Sequence, residues 1–375
     1  MHVEVHTAHA LAEHLAAGRT LEGLIIQNLD FRDNDLAQML APHDLAGVTF
    51  LGCRFGPELL VRATTQGALI FPSLDRLPFS CFRPALYTID ELMAGYDPAI
   101  PRSFFTQTRD AKIYDFYVAH HGSNTSSPLD ALAQRLHDHA IDDALADFLG
   151  KGDAKRKVVA IMGGHALGRD TAAYREVAHL ASELARDGFT LASGGGPGAM
   201  EATHLGAWFA DRPDLIDEAI ATLATAPTYK DPRWFDTAYA ARALTPCAAE
   251  SLAIPTWFYG HEPTNLFATH IAKYFSNSLR EDGLLMIATH GVIYARGMAG
   301  TVQEVFMDAC QNHYGTAKLL SPMVFLDSIY WTESLPAVPL IRALAKGRAY
   351  ADLIHTTDDR HDARRFILEH PPRPA

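Results

Sequence analysis

The chain has few positive charges and no long apolar run. Its 32 lysines and arginines stand against 44 aspartates and glutamates, which gives a formal net charge of -12. An acidic surface argues against a sequence-independent grip on nucleic acid, so we expect no nucleic-acid partner. Without an apolar run of membrane-spanning length we expect no membrane partner either. The first residues, MHVEVHTAHALAEHL, lack a basic segment followed by a long apolar core, so we expect no secretory signal.

Cysteine is scarce, and no CxxC pair occurs. The four cysteines are scattered along the chain: Cys53, Cys81, Cys247 and Cys310. Isolated cysteines predict free thiols in a reducing compartment, and we therefore expect a cytoplasmic protein. Histidine is frequent, but His137 and His139 stand two positions apart on a predicted helix and would face different sides. We expect no metal site.

The first part of the chain, residues 1–150, has weakly repeated short strands. A helix is predicted at about residues 8–17, and LEGLIIQNLDFRD and DLAGVTFLGCRFG are two similar pieces about two dozen residues apart. A third, degenerate copy is GALIFPSLDRLPFSCFRP. Apolar and polar residues alternate in these pieces as in half-buried strands. We predict a small mixed α/β N-terminal domain with stacked strands, whose role the sequence leaves open.

The second part, residues 151–375, alternates strands and helices. The apolar run VVAIM is typical of a strand buried on both faces. Further strands are predicted at FTLAS, IPTWFYG, GVIYA, SPMVFLD and ADLIHTT, and helices at TAAYREVAHLASELARDG, AMEATHLGAWFA, ATHIAKYFSNSLRE and TVQEVFMDACQNH. This order predicts a Rossmann-like, doubly wound parallel sheet. Residues 211–252 interrupt the alternation, either as a lid over the ligand or as a surface excursion or subunit contact.

A glycine-rich motif, LASGGGPGAMEA at residues 191–202, joins a predicted strand to a predicted helix. Glycine lets another molecule approach the backbone, and the first N–H groups of a helix have no partner within the helix. That combination suits a phosphate. The candidate phosphate-binding residues are Ser193, Gly194, Gly195, Gly196, Gly198 and Met200. The alternative is a tight turn that binds nothing.

Other phosphate-binding patterns fit less well. A dinucleotide fingerprint would follow the first strand, but GGHALGRD stands there; a Walker A loop would end in GK[ST], which is absent. Gly163 and Gly164 in GGHALGRD are expected to border the ligand, and His165 is the histidine expected nearest to it.

A second glycine motif, ARGMAGTVQEVF, also follows a strand and opens a helix. Gly297, Gly300 and Thr301 are its candidate binding residues. Thr301 and Glu304 have the T-x-x-E spacing of a capping box, in which Glu304 would only satisfy backbone N–H groups. Alternatively Glu304 points into the crevice of the first motif and acts on the ligand. The spacing does not separate these two interpretations.

The two motifs together resemble the LOG ("lonely guy") family, also described as lysine-decarboxylase-like. Its pattern is GGGxxGxM and then PGGxGTxxE, and the resemblance covers about residues 158–370. It implies hydrolysis of the N-glycosidic bond of an AMP-like or cytokinin-riboside-like nucleoside 5′-monophosphate to free base and ribose 5-phosphate. It also implies a Rossmann-like fold, a homodimer, and no metal or redox cofactor. The family's arginine corresponds to Arg280, which with Glu304 would be catalytic.

The chemistry of these residue types agrees with that resemblance. A carboxylate such as Glu304 can stabilise the positive charge that develops on a sugar ring, and Arg280 offers a fixed fork for phosphate or ribose hydroxyls. The sequence departs from the family at Glu281, which replaces a lysine, and at Arg296 and Met298, which replace the proline and second glycine. A non-catalytic nucleotide sensor is the alternative. Decarboxylation with pyridoxal phosphate is disfavoured, because no lysine stands in a cofactor motif.

Overall fold

The chain forms two compact units. The computed structural model describes residues 3–32, 35–100 and 102–375. The first unit comprises residues 1–85 and 125–144, and the second comprises residues 86–124 and 145–375. The division into domains at residues 150 and 151 stays a prediction, because the chain passes between these units at three places. Asp33, at the end of the predicted LEGLIIQNLDFRD piece, lies outside the described residues.

The first unit is a small parallel sheet with helices. Its strands are β1 (Val3–Val5), β2 (Leu24–Gln27), β3 (Asp30–Phe31), β4 (Thr49–Phe55) and β5 (Leu69–Pro72), and its helices are α1 (Ala8–Ala16), α2 (Asp35–Leu40) and α3 (Pro57–Thr65). The three repeated pieces contribute β2, β4 and β5, which pair in parallel, with Ile25 opposite Thr49 and Thr49 opposite Leu69. Ile26 and Phe50 point into the core and are fully buried. The predicted small α/β unit is confirmed.

The second unit is built around a parallel sheet. Its strands are β6 (Val158–Met162), β7 (Thr190–Ser193), β8 (Ser251–Ala253), β9 (His270–Ile271), β10 (Val292–Tyr294), β11 (Leu319–Leu320), β12 (Met323–Leu326), β13 (Ile354–Thr357) and β14 (Arg373–Pro374). Within the described residues, seven of them form one sheet in the order β13-β12-β10-β6-β7-β8-β9, and every neighbouring pair is parallel. The predicted Rossmann-like, doubly wound sheet is confirmed.

Helices cover the sheet of the second unit. They are α4 (Ile89–Leu92), α5 (Ser103–Thr106), α6 (Arg109–Ala119), α8 (Ala172–Arg186), α9 (Ala199–Trp208), α10 (Ile216–Leu223), α11 (Trp234–Arg242), α12 (Asn277–Ile287), α13 (Ala299–Tyr314), α14 (Ala337–Ala345) and α15 (Arg360–Glu369). A further helix, α7 (Pro128–Leu149), spans the last boundary between the units. Helix α8 packs against α9, and α13 packs against α12 and α14, which is the grouping expected when right-handed crossovers place the two sets on opposite faces.

The strand order reverses at β6. From β6 the chain proceeds through β7 and β8 to β9, and then returns to place β10 on the other side of β6. The connections that leave β6, β7 and β10 therefore start side by side at the carboxyl edge of the sheet. Ligands of doubly wound sheets bind in the crevice at such a reversal.

Two predicted elements after the interruption are shifted. IPTWFYG is not a strand: β8 ends at Ala253, and the chain then runs as a loop up to β9. The predicted helix ATHIAKYFSNSLRE begins instead with β9, and α12 starts only at Asn277. Of the aromatic residues that favoured a strand, Trp257 is buried and its ring packs against Tyr87 and Phe275, whereas Phe258 and Tyr259 are exposed.

Candidate functional site

The glycine loop, residues 194–198, connects β7 to α9 and lies against the first loop, residues 163–171. Gly198 has φ +72° and ψ -129°, and a Cβ there would clash with the carbonyl oxygen of Gly164. The N–H of Ala199 donates to the same oxygen at 3.3 Å. Only glycine at position 198 allows both the turn and the contact. The sequence-predicted glycines are thus needed partly to bring two loops together.

Ser193 holds the glycine loop from beneath. Its hydroxyl lies 2.8 Å from Nε2 of His204 and accepts the N–H of Gly195 at 3.0 Å. His204 is fully buried, which lowers the pKa of its ring to about 3, and its other nitrogen lies 2.9 Å from the hydroxyl of Ser251. The neutral His204 therefore fixes Ser193, and the Ser193 hydroxyl is engaged inside the protein.

Arg280 reaches the glycine loop from α12. Its Nε donates to the carbonyl oxygen of Ile254 at 2.9 Å, which fixes the plane of the guanidinium. A Cβ on Gly194 would overlap Nη2 of Arg280, so the guanidinium rests directly against the loop backbone. Arg280 and residues 194–196 line one small pocket. The structure thus brings together the arginine and the glycines that the sequence singled out.

Glu304 lies beside Arg280, with Oε1 3.6 Å from Nη1, and each side chain is 12% exposed. Burial raises the pKa of Glu304 to about 7, against the lowering effect of Arg280, and the nearby Glu281 raises it further. The interpretation as a capping box is wrong. The helix begins at Ala299 with Met298 as its N-cap and no side-chain cap, so Thr301 already lies inside the first turn. The carboxyl of Glu304 is free to face Arg280.

The second loop, residues 295–298, is tied to the first loop. The N–H of Gly164 donates to the carbonyl oxygen of Arg296 at 2.9 Å. A Cβ on Gly163 would come within 2.6 Å of the methyl of Ala199 and 3.1 Å of that of Ala295, so Gly163 allows close packing of the loops. Gly163 and Gly164 have structural roles in the described protein.

The remaining candidates of the second motif lie at the start of α13. A Cβ on Gly297 would overlap the side chain of Thr301, and the hydroxyl of Tyr330 donates to the Gly297 carbonyl oxygen. Gly300 has open space around it. Met200, in the first turn of α9, places its sulfur near Gly194: a Cβ on that glycine would lie 2.8 Å from it.

The two departures from the family motif are on the outside of the second loop. Arg296 pairs with Asp327, and its guanidinium lies 5.5 Å from the ring centre of Tyr330. Met298 is 72% exposed. Neither side chain lines the pocket of residues 194–196 and Arg280.

Sequence reasoning missed Glu262, which lies in the loop after β8 and lines the same pocket. A Cβ on Gly196 would lie 3.2 Å from the carboxyl carbon of Glu262. Its Oε1 is 3.8 Å from Nδ1 of His165, so the predicted nearby histidine does reach the rim. The signal for Glu262 was its place after a strand at the carboxyl edge.

The Glu262 loop is anchored by a buried charge cluster. Asp110 accepts from Nε1 of Trp257 at 2.9 Å and from Nζ of Lys273 at 2.8 Å, and Nε2 of His261 lies 3.0 Å from its other oxygen. Burial by itself would raise the pKa of Asp110, but Lys273 and His261 lower it to about 2. The cluster therefore fixes the loop at His261, and Glu262 is the residue that follows it.

A separate cavity of about 170 Å³ adjoins the glycine loop at Pro197 and Gly198. It is lined by the first loop and by the interrupting segment, which contributes residues 227–230 and Trp234. The floor is a buried ion pair: Arg169 donates from Nε to Oε2 of Glu201 at 2.7 Å. In the structure the interrupting segment therefore faces the sheet edge that carries the motifs.

Comparison with known proteins gives structural likenesses alone. No protein-family model and no curated protein matches the chain. A molybdenum cofactor binding protein from the phototrophic bacterium Rippkaea orientalis is 14% identical with a TM-score of 0.37, and the match covers 57% of this chain and 97% of that one. Two structures of the molybdenum cofactor carrier protein from Chlamydomonas reinhardtii are 16% and 17% identical, with TM-scores of 0.35 and 0.34. The two matches cover 99% and 98% of those chains, and each match covers 57% of this chain.

The expected membership of the LOG family is wrong. No family model matches, and the similar solved structures are molybdenum cofactor binding and carrier proteins. The expected hydrolysis of a nucleoside 5′-monophosphate is wrong as well. That Arg280 and Glu304 are catalytic residues stays a prediction. Glycine-rich loops at the carboxyl edge of a doubly wound sheet are a general solution for binding and do not define one chemistry.

The helices give one further finding. In residues 3–32, 35–100 and 102–375, none is both long enough and apolar enough to cross a membrane.

Proposed function

We propose that the second unit binds a small phosphate-bearing molecule and holds it without cleaving it. The phosphate contacts the backbone of residues 194–196 and the guanidinium of Arg280 from the pocket that both of them line. The observation that carries this proposal is the position of Arg280, which rests against the bare backbone of Gly194 with its Nε already fixed by Ile254. An arginine held in this way is preorganised for bidentate contact with a phosphate.

The backbone around the pocket adds to that preference. Helix α9 begins directly after the glycine loop, and α13 begins directly after the second loop. The N-terminus of a helix carries partial positive charge and unpaired N–H groups, which favour an anion. Neither helix start is occupied by a capping side chain.

The carboxyl groups near the pocket set the charge that the site accepts. Glu304 and Arg280 form an ion pair, and Glu281 lies near enough to raise the pKa of Glu304. Because that pKa is about 7, Glu304 can take up a proton when an anion arrives. Protonation of Glu304 then removes one negative charge beside Arg280, while the carboxyl group of Glu262 stays in the lining of the same pocket.

A second candidate is an enzyme that uses Glu304 as a proton donor or acceptor. The observation that favours it is again the pKa near 7, which is the range in which a general acid or base works best. The bond that such an enzyme would change is not specified by the residues described.

Titration calorimetry with inorganic phosphate, ribose 5-phosphate, AMP and the molybdenum cofactor tests the proposal. The last compound is included because it is named for the structural neighbours. We expect at least one phosphate ester to bind, and Arg280→Ala to weaken it by about tenfold or more, as for loss of a charge-assisted contact. Arg365→Ala, at a surface arginine with 64% side-chain exposure, is the matched control.

Each outcome of these experiments distinguishes between the proposed binding function and its alternatives. Failure of every compound to bind, or equal loss in both arginine variants, overturns the proposal. Recovery of the bound compound unchanged after incubation supports a holding function, and a product that disappears in Glu304→Gln supports the enzyme instead.

Two earlier expectations remain part of this proposal. A cytoplasmic location agrees with the four free cysteines. The homodimer was implied by the LOG resemblance and stays a prediction, which light scattering at micromolar concentration checks.

A further inference from the structure

The cavity beside the glycine loop is a distinct feature of the sheet edge. Its volume of about 170 Å³ is well below the roughly 300–1,000 Å³ of sites that enclose a whole drug-sized molecule. It therefore suits one part of a ligand. Pro197 and Gly198 belong both to its lining and to the loop whose preceding residues form the phosphate pocket.

The two pockets also meet at their rim. His165 lines the cavity and Glu262 lines the phosphate pocket, and their side chains approach to 3.8 Å. A molecule whose phosphate rests on residues 194–196 can thus extend past Pro197 into the cavity.

The lining of the cavity includes three aromatic side chains, His165, Tyr229 and Trp234. The rings of His165 and Tyr229 stand nearly perpendicular, with centres 5.9 Å apart. The wall also holds Leu167, Pro227, Thr228 and Lys230. Aromatic faces and proline rings favour contact with a planar ring system.

The two charged side chains in the floor of the cavity pair with each other, so they do not require a charged group on the ligand. Arg169 and Glu201 are buried and bind each other, with Nε to Oε2 at 2.7 Å and Nη2 to Oε1 at 2.5 Å. Nη1 of Arg169 donates to the carbonyl oxygen of Trp234 at 3.0 Å and to the hydroxyl of Thr237 at 2.9 Å. Oε2 of Glu201 also accepts from the hydroxyl of Tyr174 at 3.0 Å.

These contacts join the three walls of the cavity. Arg169 belongs to the first loop, Glu201 to α9, and Trp234 and Thr237 to α11. A buried ion pair is costly to desolvate, so its role here is to fix geometry rather than to add stability. The walls are held in place before a ligand arrives, which reduces the entropy lost on binding.

We infer that this cavity is the subsite for a planar heterocyclic ring of the same ligand, stacked on Tyr229. The ligand class is thereby a phosphate ester that carries one small ring system. This inference rests on the proposed function, since it places the phosphate in the neighbouring pocket.

The test compares AMP, which carries a ring and a phosphate, with ribose 5-phosphate, which lacks the ring, and adenosine, which lacks the phosphate. We expect AMP to bind about tenfold more tightly than ribose 5-phosphate. Tyr229→Ala should weaken AMP by about three- to tenfold, the worth of one aromatic contact, and leave ribose 5-phosphate unchanged. Tyr229→Phe should keep the affinity for AMP.

Two further variants sharpen the result. Ala166→Phe fills the cavity from its exposed rim and should abolish the advantage of AMP over ribose 5-phosphate. Tyr314→Ala, at a tyrosine that is 76% exposed on α13 and outside the cavity, is the matched control and should change nothing.

The failures are distinguishable. If AMP and ribose 5-phosphate bind equally and depend on Arg280, the ring subsite is overturned and the phosphate site stands. If neither phosphate binds, the proposed function fails. If adenosine binds and Tyr229→Ala weakens it while the phosphates do not depend on Arg280, the ring subsite stands alone.

Discussion

Glu304 and Arg280 are the pair of residues on which the site depends. Their side chains are nearly buried, lie on neighbouring helices and meet at 3.6 Å. A carboxyl in this position is partly desolvated, and the guanidinium compensates only in part, so the pKa of Glu304 rises to about 7. Two predictions follow from that single value.

The first prediction concerns stability. The pKa of Glu304 is raised from 4.5 to about 7 on folding, so below pH 4.5 it is protonated in both states and costs nothing. As pH rises through 7, the folded protein loses stability relative to a chain with a neutral side chain. Glu304→Gln should therefore raise the free energy of unfolding by up to about 3 kcal/mol at pH 8 and by less than about 0.5 kcal/mol at pH 4.5.

Guanidinium unfolding at several pH values measures this effect. Glu176→Gln, at a half-exposed carboxylate on α8, is the control and should change the free energy of unfolding by less than about 1 kcal/mol. A Glu304→Gln variant that is less stable than the wild type at pH 8 would show that the ion pair with Arg280 outweighs the cost of burial.

The second prediction concerns anion binding. Sulfate keeps its charge of minus two between pH 6 and 8.5, so any pH dependence comes from the protein. An anion beside Glu304 raises the pKa of that carboxyl further, and binding then takes up a proton. Sulfate affinity should increase several-fold as pH falls from 8.5 to 6.

In Glu304→Gln the same titration should be flat and as tight at pH 8.5 as the wild type is at pH 6. A pH profile that survives the substitution would show that another group of the protein controls the binding.

At the scale of the elements, the loops at the sheet edge need backbone conformations and close contacts that only glycine allows. Gly198 starts α9 with a positive φ and touches the carbonyl of Gly164. Gly188, after α8, also has a positive φ, but nothing lies within 4 Å of its missing Cβ. Substitution of Gly188 therefore measures the cost of backbone strain alone, and substitution of Gly198 measures strain together with steric overlap.

The third prediction uses this pair. Gly188→Ala should lower the free energy of unfolding by about 1 kcal/mol, the cost of the conformation alone. Gly198→Ala should lower it by about 3 kcal/mol or more, because overlap adds to strain, and should also weaken phosphate binding. Equal losses in the two variants would mean that the loops can separate freely.

The fourth prediction concerns the buried pair that joins the first loop, α9 and α11. Glu201→Gln leaves Arg169 with a buried and uncompensated charge, and should lower the free energy of unfolding by about 3–5 kcal/mol. Glu176→Gln, which removes a partly exposed partner of Arg360, should cost less than about 1 kcal/mol. Denaturant titration of both variants checks the difference; a small loss in Glu201→Gln would show that water reaches the pair.

At the scale of the whole molecule, the net charge of -12 governs encounters with other polyanions. The fifth prediction is that random duplex DNA shows no saturable binding at physiological salt, and stays weaker than the roughly 10⁻⁴ to 10⁻⁶ M of non-specific binders. Fluorescence anisotropy with a labelled duplex measures it. Saturable, salt-sensitive binding would reveal a local basic surface that the total charge conceals.

The sequence by itself determined the parallel sheet and the place of its main strands along the chain, but the order of the strands within the sheet came from the structure. VVAIM became β6 over Val158–Met162, and the two glycine motifs lie at the carboxyl edge where the strand order reverses. Continuous apolar runs and strand-to-helix turns are local signals, and they are strong because a strand buried on both faces admits few other residues.

Tertiary structure alone decided what the edge residues contact. IPTWFYG reads as a strand by composition, yet Trp257 is held by Asp110, which stands 147 positions away, and the chain there forms the Glu262 loop. T-x-x-E reads as a cap, yet Glu304 faces Arg280 because α13 begins two residues before Thr301. Local patterns specify backbone shape, but the partners of a side chain come from distant parts of the chain, and so does the chemistry of the site.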